Sequence, residues 1–238
     1  MVPRLEGLPT VTQRQVVTPR PMGRSGRGAG NAGWWGVALA VTGIGWGLLL
    51  PAWRAQASRA PRRDEGIETI ADAVQACRRS GLGGWELVTY TQRLVHRKFA
   101  FYSCRNLWDT PAQAFRYGMG YCSQYNLALK QLLDRLDIET QAVTAFKVRV
   151  RDNPEWAMGH TWLRVQVHGE VRDVCAGHAD NLPGRVNFTP MAPVLPAGGV
   201  LLFLLHLGMI LFCGFLEWRA LLTRRPLPGW MFHAQAHV

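Results

Sequence analysis

Two uncharged or nearly uncharged apolar runs bracket a polar middle, and they constrain this chain more than any other feature. The first, WWGVALAVTGIGWGLLLPAW, covers Trp34 to Trp53; the second, GGVLLFLLHLGMILFCGFLEW, covers Gly198 to Trp218 and contains one His and one Glu. Crossing a bilayer takes about 20 apolar residues, so both are long enough. Trp34, Trp53 and Trp218 sit where aromatic side chains anchor at the membrane–water interface. A single such run also suits a buried core helix; two of them around a polar segment favour membrane helices. The expected order is a basic, disordered leader (1–33), a transmembrane helix or signal-anchor (34–53), a linker (54–65), one folded domain (66–192), a second transmembrane helix (198–218) and a tail (219–238).

The first run also reads as a signal peptide. Ala55-Gln56-Ala57 comes after it with the small-x-small spacing of a cleavage site, and a start at Met22 leaves a short basic segment before it. Either reading exports the polar middle. Arginines near the spans agree by a narrow margin: Arg20, Arg24, Arg27, Arg219, Arg224 and Arg225 lie on the terminal sides, against Arg54, Arg59, Arg62, Arg63 and Arg185 on the middle. Positive charge stays cytoplasmic, so the middle domain is expected at the membrane on its extracytoplasmic side.

Composition narrows the class. Hydrophobic content of 48% with ten Trp supplies a packed core. The net charge of +11 comes from scattered arginines, without a zinc finger, helix-turn-helix or aromatic-basic RNA module, so nucleic acid is not expected as a partner. Arginines beside apolar segments suit an anionic membrane surface instead. The five cysteines, at 77, 104, 122, 175 and 213, form no CxxC pair, which argues against a zinc ribbon or a thioredoxin-type motif.

Between the spans the text reads as α+β. Ile67, Ile70 and Val74 mark one helix, Glu86 to Arg97 a second, and Asp109-Thr110-Pro111 a helix start. In GMGYCSQYNLALKQLLDRLDI, Gly118 to Ile138, Leu129, Leu132, Leu133 and Leu136 recur at helical spacing. Three strand candidates come next: TQAVTAFKVRV, TWLRVQV and EVRDVCA. The last two read as an antiparallel hairpin turning at His168-Gly169. Helices first and sheet afterwards point to α+β.

The chemistry-bearing residues lie in this domain. Cys122 opens the helix of that segment, where unpaired backbone N–H groups favour a thiolate and can receive an oxyanion. The competing reading is a small buried hydrophobe, as most free cysteines are. His160 precedes TWLRVQV, and Asp173 lies in the next strand. A thiol, a base and a carboxylate that orients the base form the arrangement for acyl transfer through a thioester. With a two-residue turn, Val167 pairs with Glu170 and Arg164 with Asp173. His160 and Asp173 then point to one face but are offset by four residues, roughly 13 Å along the strand.

Together, Gly-Tyr-Cys122 opening a helix, LLDRLDIETQAVTA after it, His160-Thr-Trp and a hairpin leading to Asp173 resemble the transglutaminase-like superfamily. The resemblance covers about Trp108 to Ala176. It departs from the family at Asp137, where a turn glycine is usual, and at DVCAGH after the acid. It implies a papain-like cysteine fold carrying Cys122, His160 and Asp173 as a triad, acting on amide bonds of peptides or proteins as peptidase, amidase or transamidase. It implies no cofactor, and no acidic loop for calcium is present.

Two other readings compete. The domain is alternatively a catalytically silent binding module of the same fold, holding a peptide or a membrane partner. His160, His168, Cys175 and His178 offer zinc-ligand residue types, with Cys175-x-x-His178 at ligand spacing, although His168 reads as a turn residue and His178 as a loop residue, so no metal is expected. His206 within the second run reads as a neutral, hydrogen-bonded side chain facing a neighbouring helix; His233 and His237 carry no signal.

Overall fold

The computed structural model describes residues 66–151 and 157–234. The expected leader, first apolar run and linker fall outside them.

Helix α1 (Ile70–Arg79) starts where Thr69 and Asp72 cap each other: the Asp72 N–H donates to the Thr69 hydroxyl at 3.2 Å, and the Thr69 N–H to the Asp72 carboxylate at 2.8 Å. Such a box satisfies two of the N–H groups that a helix start leaves unpaired. Helix α2 (Gly84–Lys98) and the short strand β1 (Phe101–Ser103) come next. Thr110 and Gln113 form a second box at helix α3 (Pro111–Tyr117), whose Pro occupies the first turn, where no N–H is needed. Gly118 ends α3 in the left-handed conformation, φ 69°. Strand β2 (Met119–Gly120) then leads into helix α4 (Cys122–Asp134).

Helix α4 is the centre of the domain. Leu129, Leu132 and Leu133 are fully buried, as their spacing predicts, and Leu136 packs against the same cluster. The chain leaves α4 through Asp137, which adopts φ 59°. Asp is among the few non-glycine residues that visit this region readily, so the turn survives without a glycine.

The main sheet runs β5-β4-β3-β6 with every pair antiparallel, and β7 also pairs β3. Its strands are β3 (Glu139–Val150), β4 (Ala157–Val167), β5 (Glu170–Val174), β6 (Phe188–Pro190) and β7 (Leu195–Pro196). The β4–β5 hairpin turns at His168 (φ 51°) and Gly169 (φ 82°). Two successive positive φ values make the tight turn whose twist suits a two-residue hairpin. Its register is the expected one, Val167 opposite Glu170 and Arg164 opposite Asp173. Trp162 lies fully buried in this sheet.

Helix α5 (Gly199–Thr223) is the described helix long and apolar enough to cross a membrane. It runs five residues past the expected end of the second span. One stripe of it, Ile210, Cys213, Gly214 and Glu217, is buried, and Ile210 and Cys213 belong to the domain's apolar core. After α5 a single turn (Gly229–Met231) leads to strand β8 (Phe232–Ala234), which pairs antiparallel with β1 in the small sheet β2-β1-β8. The tail is thus partly folded back onto the domain. The described residues form a mixed α and β structure with two sheets.

Candidate functional site

Cys122 is the first residue of α4. Gly120, two residues earlier, is required by close packing: a Cβ there meets the Phe99 ring at 2.9 Å and the Gln124 amide oxygen at 3.0 Å. The Tyr121 N–H donates to that Gln124 oxygen at 3.2 Å, and the Gln124 amide donates in turn to the carbonyls of Asn106 and Asp109. The turn into α4 is therefore held from both sides.

Helix α4 is also tied to β4 directly beside His160. The Asn126 amide, one turn after Cys122, donates to the Thr161 carbonyl at 2.7 Å, and the Ser123 hydroxyl donates to the Thr161 hydroxyl at 3.2 Å. On the neighbouring strand the Thr144 hydroxyl donates to the His160 carbonyl at 3.0 Å. These bonds bring Cys122 and His160 into the wall of one pocket of about 350 Å³, which they share with Cys175, Tyr125, Phe188 and His233.

Within that pocket, Nε2 of His160 lies 3.3 Å from Sγ of Cys175. The same sulfur accepts the Asn126 amide N–H at 3.4 Å and the Gly177 backbone N–H at 3.4 Å. Asn126 is fully buried and completes its bonding by accepting the Ala176 N–H at 3.0 Å. Gly177 cannot carry a side chain, because a Cβ meets the Tyr125 hydroxyl at 2.5 Å. The His160 ring packs edge-on against Phe188, with centroids 4.6 Å apart.

Burial dominates the electrostatics. It pushes the Cys122 thiol above its ordinary range, opposed by the backbone N–H of Thr161 and then by the Ser123 hydroxyl and N–H. It pushes Cys175 up to about 12 against the Asn126 and Gly177 donors, and it lowers His160 to about 4. At neutral pH all three groups are uncharged, because removing apolar-walled groups from water disfavours whichever form is ionic. The thiol beside the imidazole is that of Cys175, and Cys122 shares the pocket with both.

Asp173 is not part of this arrangement. It stands opposite Arg164, with 3.5 Å between the guanidinium and the carboxylate, four residues along β4 from His160. No bulge interrupts the β4–β5 register, so nothing shortens that offset of roughly 13 Å. The side chain that the structure places at the His160 imidazole is Cys175, two residues beyond Asp173 along the chain and closer to His160.

Two further residues escaped the sequence reading. Asn126 was signalled only by its place four residues after Cys122, on the same helix face. His233 stacks on Tyr102, centroids 4.9 Å apart, and lines the pocket with Ala234 because β8 returns to β1. His206 faces Tyr121, whose hydroxyl lies 2.7 Å from its Nδ1. His168 is a turn residue, as its place in the sequence suggests. Among the described residues, no group of three or more His, Cys, Asp or Glu side chains is placed to hold a metal ion. No protein-family model matches the chain, and no curated protein matches it.

Proposed function

We propose that the domain is a transglutaminase-like cysteine enzyme with a papain-like core, held at the bilayer and acting on amide bonds of peptides or proteins. The observation that carries this reading is that Cys122, at the start of a central helix, and His160, on the adjoining strand, line one pocket.

In this reading the His160 imidazole, whose Nε2 faces Cys175 at 3.3 Å, accepts the Cys122 proton through its other nitrogen. The thiolate attacks the amide carbonyl, and the first-turn N–H groups of α4 stabilise the oxyanion. Collapse passes the proton from the imidazolium to the departing amine and leaves an acyl thioester on Cys122. Water then releases an acid, or a second amine forms a new amide; the nucleophile's proton returns through His160 to the sulfur. Cys175 and Asn126 act as positioning groups.

A second reading, a catalytically silent binding module of the same fold, is favoured by one observation: the position that would orient the imidazole carries a thiol in place of a carboxylate.

The deciding experiment is acylation of the full chain in detergent with a p-nitrophenyl ester, followed by intact-mass and peptide mapping. The enzyme reading expects a single acyl group on Cys122, absent in Cys122→Ala and formed about 10²–10⁴-fold more slowly in His160→Asn, the range a general base supplies. No acylation, or modification indifferent to His160, leaves the binding module.

A further inference from the structure

We infer that α5 lies along the surface of an anionic bilayer as an in-plane anchor, its outer face in lipid and both of its ends on the domain's side of the membrane. This does not depend on the catalytic reading.

Connectivity on both sides of the helix carries the inference. Immediately before α5, β7 pairs with Val143 and Thr144 of β3, and the Ala197 N–H donates to the Ala142 carbonyl at 2.8 Å. Shortly after it, the Cys104 N–H donates to the Met231 carbonyl at 2.8 Å, and Phe232, His233 and Ala234 pair with Ser103, Tyr102 and Phe101. Both flanks are thus hydrogen-bonded into one domain. A crossing helix separates its flanks by about 30 Å of hydrocarbon. The chain from Thr223 to Met231 reaches at most about 29 Å fully extended, too short for a return. That return would also carry Arg224, Arg225 and unpaired backbone through lipid, which the hydrocarbon does not tolerate.

The faces of α5 agree. Its inner stripe belongs to the domain core, with His206 bonded to Tyr121. The outer face presents Phe203 (64% exposed), Leu204, Leu211, Phe215 and Leu222 (77% exposed). An outer face this apolar needs apolar surroundings. The domain covers one side, and lipid acyl chains suit the other. At the C-terminal end Trp218 and Trp230 mark an interface, and Arg219, Arg224 and Arg225 supply cations for anionic headgroups. An apolar outer face with cations and tryptophans gathered at one end suits an anionic bilayer.

Full-length protein in sealed vesicles containing anionic lipid tests this in two ways. Asp180→Cys, in the domain, and Arg225→Cys, beyond α5, are labelled with an impermeant maleimide against the parent background of buried thiols. The expected result is that both label from the same side; labelling from opposite sides overturns the in-plane anchor. Separately, a fluorophore on Phe203→Cys, Leu211→Cys or Leu222→Cys is quenched by nitroxide lipids of graded depth. In-plane seating expects equal, shallow depths at all three. A deep Leu211 between shallow Phe203 and Leu222 shows a crossing helix, and no quenching shows a protein partner on that face; either result overturns the inference.

Discussion

The imidazole of His160 faces the sulfur of Cys175 at 3.3 Å, and that sulfur also accepts N–H groups from Asn126 and Gly177. Two N–H donors thus converge on the sulfur that faces the imidazole. A carboxylate satisfies such donors more strongly than a neutral thiol does, because charge-assisted hydrogen bonds are the strong ones.

Replacing that sulfur by a carboxylate therefore has a defined consequence. In Cys175→Asp an anion beside His160 favours the imidazolium, so the His160 titration moves up from about 4 toward or beyond the ordinary 6.5. Ring-proton NMR of the variant, with His160→Asn for assignment, reads this directly. A titration that stays near its original position shows that the 175 side chain does not control the imidazole.

Asp173 provides the contrast. It is partly exposed and faces only the partly exposed Arg164 across the hairpin. Surface pairs of this kind contribute under about 1 kcal/mol. Asp173→Asn is expected to leave the acylation rate of Cys122 unchanged and to shift the unfolding midpoint slightly. A large loss of rate restores Asp173 to the triad.

Asn126 holds more structure than its size suggests. Its amide group joins α4 to the Thr161 carbonyl, the Ala176 N–H and the Cys175 sulfur, all buried. Asn126→Ala removes all three bonds and takes from the buried Ala176 N–H the acceptor it has here, at a cost of roughly 2–4 kcal/mol. Urea unfolding at neutral pH measures it. A loss no larger than that of a surface substitution means that the helix and the hairpin are held together by apolar packing alone.

The depressed His160 makes stability depend on pH in one window. The unfolded imidazole takes up a proton near 6.5 and the folded one only near 4. Between those values the unfolded state binds more protons, so stability falls as pH drops from 6.5 to 4 and levels off on either side. The loss assignable to this group is roughly 3 kcal/mol. Thermal unfolding of wild type and His160→Asn across pH 4–7 should diverge over that interval; parallel curves show that burial does not depress this imidazole.

Local features settle at the level of the chain itself. The capping pair Thr110 and Gln113 with Pro111, the leucines of α4 and the His168-Gly169 turn each act through neighbours a few residues away, so the sequence determined the helix that Cys122 opens and the register of the β4–β5 hairpin. Strand parity likewise placed His160 and Asp173 on one face, which Cys175, two residues further on, shares. Tertiary structure decided which of the two reaches the imidazole. Same-face neighbours on a strand are spaced by about 7 Å, and a hydrogen bond tolerates a few tenths of an ångström, so only the docked register distinguishes Cys175 from Asp173. The roles of Asn126 and His233 were decided at the same level, because each depends on a partner 35 or more residues away in sequence. The same holds for α5: hydropathy marks it as long and apolar enough to cross a membrane, whereas the pairing of β7 and β8 ties the chain on both sides of it into one domain.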